Sequence, residues 1–306
     1  MGASCDPQPA LSRNILLCTD FSLASRAALR TAATFCKPGL TRLTVLHVCE
    51  FGPIAVTTDE GIEQVAELMR KQYANLSSVV LELRALGVEA QPVFLDGSAP
   101  RVILSEIQRR RIDLAVLGTS AHKGVERLIF GSTAESVFRK APCPVLTVGP
   151  LMRPAVPSIH PGPILFATDF GESSIAALRH AAALAAGKQV PLHCIHVLPL
   201  HSERRPSSAS PAAVANALTQ FVATFVPAGV QTSSHILYGT DVPQSVVTHA
   251  GTLGAEVIVL GVRRKPGLST HLPPQRTYRI IMTAPCPVLT LSCEQKTPIA
   301  FASGSS

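Results

Sequence analysis

Hydrophobic and polar positions in the first half of the chain follow two periods. Short apolar runs over 14–18, 43–48 and 113–118 have the pattern of strands buried on both faces. The stretch 62–83 instead has apolar residues at helical spacing, which predicts an amphipathic helix. The same reasoning predicts strands over 88–95 and 144–149, helices near 100–110 and 132–140, and a helix N-capped by Ser22.

Strands and helices therefore alternate as β-α-β-α-β-α-β-α-β. Parallel strands joined by right-handed helical crossovers form a doubly wound α/β sheet. Ligands of such sheets bind at the carboxyl ends of the strands, where the strand order reverses. In the order 3-2-1-4-5, the first and fourth strands are neighbours at that point, so residues that follow them would face each other.

The second half of the chain repeats the first. NILLCTDFSLASRAALRTAATF (14–35) aligns with PILFATDFGESSIAALRHAAAL (163–184) at an offset of 149. APCPVLTV (141–148) matches APCPVLTL (284–291) at an offset of 143, so the second copy is six residues shorter in its middle. Matches in one order over both halves indicate two copies of one domain.

The boundary between the copies lies in PLMRPAVPSIHPGP (150–163), where prolines are too dense for a helix or a central strand. We therefore predict one domain over 11–150 and a second over 162–293.

Composition narrows the class of protein. With 46% hydrophobic and 15% charged residues the chain is globular, and its net charge of +7 is scattered. No Trp, basic stripe or helix-turn-helix signature is present, so we expect no nucleic-acid partner. The eight cysteines form no C-x-x-C pair, which indicates a reducing compartment without disulfides or zinc. No signal-peptide pattern or 18-residue apolar run occurs, so we expect a cytoplasmic protein without a membrane partner.

Candidate chemistry lies in LAVLGTSAHKGVERLIFGS (114–132). A loop of small residues follows Gly118, and Gly131 and Ser132 open the next predicted helix. Backbone N–H groups and the positive end of a helix dipole suit phosphate, with Ser132 as a hydroxyl donor and Lys123 as a cation.

Asp20 ends the first strand, and its carboxylate suits a ribose hydroxyl or an adenine amino group. The alternative is ordinary loop chemistry, since glycines often end strands and Ser or Asp often caps helices. The residues alone leave both interpretations open.

The combination ILLCTDFS…LHV…LAVLGTSAHKGVERLIFGSTAESVFRKAPCPVLTV resembles a universal stress protein domain, twice over nearly the whole chain. The resemblance implies two doubly wound five-stranded parallel-sheet domains of the nucleotide-binding α-hydrolase-like type, in the order 3-2-1-4-5. It also implies that the last strands, in PVLTVG and PVLTLS, pair across a two-fold axis. The chain would then be an intrachain pseudo-dimer, with a homodimer as a further possibility.

ATP-binding members of that family carry the loop G-x2-G-x9-G-[ST]. Gly118, Gly131 and Ser132 match it, while Ala121 replaces the second glycine and Gly124 lies out of register. If this position requires a positive φ, alanine costs about 1 kcal/mol or more.

By the same resemblance, Asp20 would contact the adenosine and the backbone of Val48 would meet the adenine edge of ATP, with or without Mg²⁺. The predicted nucleotide-binding residues are Thr19, Asp20, Val48, Gly118, Thr119, Lys123, Gly124, Gly131 and Ser132.

The second copy departs from the loop pattern. It keeps Asp169, Val197 and Gly261 but has Arg264, Pro274 and Gln275 at the other matching positions. Proline removes an N–H donor and restricts φ, so we do not expect this domain to bind ATP in the same manner.

Two functions remain open. The first is a stress-response regulator whose first domain binds ATP, and the alternative is an interaction or scaffold protein that binds a protein partner without nucleotide. No Ser-His-Asp order, metal-ligand spacing or nucleophile elbow is visible, so we expect no enzyme beyond slow ATP hydrolysis. His47 and His196 are predicted to be satisfied structural histidines, and His122 lies in the loop.

Overall fold

The computed structural model describes residues 13–50, 59–119, 131–152, 161–200, 210–264 and 275–294. The first domain is a parallel sheet in the strand order β3-β2-β1-β4-β5, which is the order that the family resemblance implies. Its elements are β1 (Asn14–Cys18), α1 (Leu23–Thr34), β2 (Arg42–Cys49), α2 (Asp59–Ala85), β3 (Ala90–Asp96), α3 (Ala99–Arg109), β4 (Leu114–Gly118), α4 (Ser132–Lys140) and β5 (Val145–Val148).

The second domain repeats this topology in the order β10-β9-β6-β7-β8. Its elements are β6 (Ile164–Ala167), α5 (Glu172–Lys188), β7 (Leu192–Pro199), α6 (Pro211–Phe225), β8 (Thr232–Gly239), α7 (Val242–Leu253), β9 (Val257–Arg264), α8 (Gln275–Thr283) and β10 (Val288–Glu294). The fold is therefore two doubly wound α/β domains. The two-fold pairing of the domains stays a prediction.

Burial explains why the central runs form strands. Ile15, Leu16 and Leu17 in β1 are fully buried, as expected for a strand covered on both faces. The side chain of Ser22 accepts a hydrogen bond from the amide of Ser25 at 3.2 Å, which confirms the predicted N-cap of α1.

The second copy is shorter in the segment between its second and third strands, which contains a helix. α6 has 15 residues where α2 has 27, and the strands on either side keep their places in the sheet. By their contacts, residues 13–152 and 281–288 form one compact unit, and residues 161–280 and 289–294 form the other.

Cysteine burial agrees with a protein of free thiols. Cys18, Cys49 and Cys194 are buried and unbonded, and burial raises the pKa of the Cys194 thiol to about 12. A thiol of that pKa is protonated at neutral pH and therefore a poor nucleophile. In the described part of the chain, no helix combines the length and apolarity that crossing a bilayer requires.

Three histidines cluster in the second domain. The ring centroid of His235 lies 6.1 Å from that of His193 and 6.3 Å from that of His249. β7, β8 and α7, which carry these rings, contain no Asp, Glu, Lys or Arg. Burial, and then the neighbouring imidazoles, hold the pKa values of His193 and His249 below the usual 6.5.

This cluster predicts that the second domain loses stability in mild acid. An imidazole with a lowered folded pKa binds fewer protons than the unfolded chain below pH 6.5, so the free energy of unfolding falls as pH decreases through that region. We expect urea unfolding to show lower stability at about pH 5.5 than at about pH 7.5. The variant His193→Thr, which introduces the residue of Thr44 in the first repeat, should narrow this difference. An unchanged difference would contradict the prediction.

Candidate functional site

The ends of β1 and β4 lie side by side. Cys18, the last residue of β1, is in register with Leu117 of β4, so Thr19–Asp20 and Gly118 emerge at the same carboxyl edge of the sheet. The predicted juxtaposition of these strand ends is confirmed. Thr119 follows as a buried residue whose amide and hydroxyl both donate to the carbonyl of Val148, at 2.9 and 3.2 Å.

Asp20 sits on a tight turn that leads into α1. Its Oδ1 accepts the amide of Ser22 at 3.0 Å, and the amide of Phe21 donates to Oγ1 of Thr19 at 3.1 Å. Partial burial raises the pKa of the Asp20 carboxyl, but hydrogen bonds from Ser22 and Ser25 outweigh it, so the pKa lies below its usual range. Asp20 is therefore ionised at neutral pH and only accepts hydrogen bonds.

Gly118 has a packing role. A Cβ on this residue would meet the backbone carbonyl of Ala24 and would lie 2.7 Å from the amide nitrogen of Ser25. The first turn of α1 thus packs directly on the end of β4, and only a residue without a side chain fits between them. This requirement exists without any phosphate, so Gly118 alone does not distinguish a nucleotide site from a turn.

Gly131 differs from Gly118. It is the N-cap of α4 with φ −59° and ψ 141°, values that any residue adopts, and none of the described residues would come within 4 Å of a Cβ there. No side chain in the described part of the chain caps the N-terminus of α4, and the first residue of the helix, Ser132, is exposed. N–H groups without a capping side chain can donate hydrogen bonds to an anion.

The remaining predicted site residues fall in two places. Val48 is half-buried near the end of β2. Lys123 and Gly124, like Ala121 and His122, lie outside the described residues.

His47 and His196 each hold a backbone carbonyl through Nδ1. His47 contacts the Thr19 oxygen at 2.8 Å, and His196 contacts the Thr168 oxygen at 2.8 Å. The predicted structural role is therefore met at Nδ1. Nε2 of His47, however, is buried without a hydrogen-bond partner among the described residues.

The second copy has the same turn after its first strand but differs in the strand that matches β4. Asp169 Oδ1 accepts the amide of Gly171 at 2.8 Å, and a Cβ on Gly261 would meet Ser173 as one on Gly118 meets Ala24. β9, however, continues past Gly261 to Arg264, the position that matches Ala121. The strand of the second copy thus runs beyond Gly261, whereas β4 ends at the matching Gly118.

Sequence reasoning missed the backbone of the turn. Phe21 and Phe170 have φ of 63° and 59°, which is an uncommon conformation for a bulky residue. The signal was the Thr-Asp-Phe shared by both repeats. In the part of the chain that the structure describes, no three His, Cys, Asp or Glu residues are placed to hold a metal ion.

Comparison with known proteins gives a consistent result. The model of the universal stress protein family matches residues 12–149 and 162–292. Universal stress protein MJ0531 of Methanocaldococcus jannaschii is 30% identical over 140 residues, covering 45% of this chain and 82% of its own. The crystal structure of a universal stress protein from Archaeoglobus fulgidus covers 92% of this chain and 98% of its own, with 22% identity and a TM-score of 0.70.

A further universal stress protein from Archaeoglobus fulgidus is solved in complex with dAMP. It covers 42% of this chain and 96% of its own, with 22% identity and a TM-score of 0.33.

Proposed function

The chain belongs to the universal stress protein family, and on that premise we propose that it is a stress-response regulator whose first domain binds ATP. The site is the carboxyl edge of the sheet where β1 and β4 end side by side. Asp20 accepts hydrogen bonds from the nucleoside, the backbone of Val48 meets the adenine edge, and the N-terminus of α4 receives the phosphates. The protein binds ATP rather than turning it over, apart from slow hydrolysis.

The observation that carries the proposal is the uncapped N-terminus of α4. Gly131 has no side chain that could accept from the first amides of the helix, and none of the described residues comes within 4 Å of a Cβ built on it. Orphan N–H groups together with the helix dipole favour a phosphate at that point. The second domain does not bind ATP in this manner, since β9 runs on as a strand to Arg264.

The direct test is calorimetric titration of the full chain with ATP and Mg²⁺, after mass spectrometry has checked for nucleotide retained through purification. We expect one site per chain. Two sites would contradict the account of the second domain. No binding at millimolar ATP and no retained nucleotide would overturn the proposal in favour of the alternative, an interaction protein of the same fold.

Gly131→Ala gives a sharper prediction. The variant should unfold close to the temperature of the wild type, since the φ and ψ of Gly131 suit alanine and none of the described residues comes within 4 Å of a Cβ there. Its affinity for ATP should fall by about tenfold, because the added methyl group takes space that the phosphate needs. Gly187→Ala is the control, a glycine in α5 whose added Cβ would likewise have none of the described residues within 4 Å, and it should leave the affinity unchanged. If Gly131→Ala binds ATP as tightly as the wild type, the N-terminus of α4 does not bind the phosphates.

A further inference from the structure

We propose that His47 is a positioning residue of the nucleotide site, which holds the Thr19 carbonyl and thereby leaves the Val48 amide for the ligand. The inference rests on the proposed function, because it assigns a role within the same site.

The first argument comes from the hydrogen-bond ladder between β1 and β2. It ends at the pair Cys18↔Leu46, with the amide of Thr19 donating to the carbonyl of Leu46 at 3.0 Å. In the next rung of a parallel ladder, the amide of Val48 would donate to the carbonyl of Thr19. That carbonyl is contacted by Nδ1 of His47 at 2.8 Å. A side-chain donor thus replaces a backbone donor at the last position before the site.

The direction of the contact follows from its partner. A carbonyl oxygen only accepts hydrogen bonds, so Nδ1 of His47 is the donor to the Thr19 oxygen. His47 is 6% exposed, and its Nε2 has no hydrogen-bond partner within the described residues. Burying a nitrogen without a hydrogen-bond partner costs free energy. His47 therefore keeps its contact through Nδ1 despite the free-energy cost at Nε2.

Two aromatic rings contact the imidazole of His47. The ring centroid of Phe21 lies 4.3 Å from that of His47, and the ring centroid of Phe94 lies 5.5 Å away on β3. Phe94 is in turn stacked on Tyr73 of α2 at 4.4 Å. The imidazole therefore has little freedom to leave the Thr19 carbonyl.

The turn that His47 holds is strained. Phe21 has a φ of 63°, and such a conformation of a bulky residue persists only where its surroundings enforce it. His47 enforces it twice, by the hydrogen bond to Thr19 and by the ring contact with Phe21. Because Asp20 lies between these two residues, its carboxylate is aimed by the same contacts.

The second repeat has the same arrangement of histidine, carbonyl and phenylalanine, and it therefore supplies an internal control. Phe170 has a φ of 59°, its ring centroid lies 4.7 Å from that of His196, and His196 contacts the Thr168 oxygen at 2.8 Å. In a domain that does not bind ATP in this manner, removing this histidine damages the fold equally and leaves the nucleotide site intact.

The test compares three variants by calorimetric titration with ATP and by thermal unfolding. His47→Leu removes the donor and should weaken ATP binding by about tenfold. His47→Asn places an amide N–H where Nδ1 was and should bind within about threefold of the wild type. His196→Leu should lower the unfolding temperature as much as His47→Leu and leave the affinity unchanged.

The wild-type chain offers a second readout that does not depend on a variant that folds. By amide hydrogen exchange, the Val48 amide should exchange faster than that of Leu46 without ligand and should become protected on addition of ATP. Equal protection of both amides without ligand would overturn the proposal, as would wild-type affinity in His47→Leu or equal losses in His47→Leu and His47→Asn. If the wild type does not bind ATP, it is the proposed function that fails, and this inference fails with it.

Discussion

Gly118→Ala is expected to lower the free energy of unfolding of the first domain by about 3 kcal/mol. The new Cβ would collide with the backbone carbonyl of Ala24 and lie 2.7 Å from the amide nitrogen of Ser25. Neither atom belongs to a flexible side chain, so α1 must move away from the end of β4. For a domain of this size, the loss corresponds to a fall of about 10 °C in Tm.

Two further glycine variants serve as comparisons for Gly118→Ala. Gly261→Ala should destabilise the second domain to a similar extent, because its Cβ would lie 2.6 Å from the amide nitrogen of Ser174. Gly131→Ala should leave stability unchanged. Equal stability of Gly118→Ala and Gly131→Ala in chemical denaturation would show that α1 does not press on β4, and would refute the packing role of Gly118.

Asp20→Asn is expected to weaken ATP binding by about 10-fold to 100-fold and to leave the fold intact. A hydrogen bond to a charged group contributes about 1.5–3 kcal/mol, which corresponds to a loss in that range. The amide oxygen of asparagine still accepts the Ser22 amide that Oδ1 accepts at 3.0 Å, so the turn is preserved. The nitrogen that replaces the other oxygen is a donor and repels a ligand hydroxyl or amino donor.

The matched variant lies in the second repeat. Asp169→Asn changes the same turn, where Oδ1 accepts the amide of Gly171 at 2.8 Å, in the domain that we do not expect to bind ATP. It should leave the affinity and the stoichiometry of binding unchanged. If Asp169→Asn weakens binding as much as Asp20→Asn, the nucleotide is not confined to the first domain. If Asp20→Asn binds as the wild type does, Asp20 is not a ligand contact.

Much of the fold follows from local signals in the sequence. The run over 14–18 predicted β1 with its observed bounds, Asn14–Cys18, because five consecutive residues without helical spacing require burial on both faces. Ser22 predicted the start of α1, because its hydroxyl reaches an amide only three residues ahead. The Thr-Asp-Phe repeat located the second domain. Each of these signals acts between residues close in the chain or compares two copies of it.

The candidate site was predicted only in outline. The order 3-2-1-4-5 brought the ends of β1 and β4 together, and the loop pattern indicated Gly118 and Gly131 without distinguishing their roles. Gly118 is required by the approach of Ala24, which is 94 positions away in the chain, whereas none of the described residues comes within 4 Å of a Cβ on Gly131. That difference depends on which backbone passes each Cα, and a one-dimensional pattern does not contain it.

The sequence by itself determined two α/β domains of one type and the residues that end the strands, and the family resemblance implied the strand order that brings those residues to one edge. Only the tertiary structure decided that His47 meets the carbonyl of Thr19, 28 positions before it, and that Phe21 is held at positive φ. It also decided that β9 continues where β4 stops. The physical reason is range: periodicity and capping act within a few residues, whereas close contacts depend on which strands become neighbours.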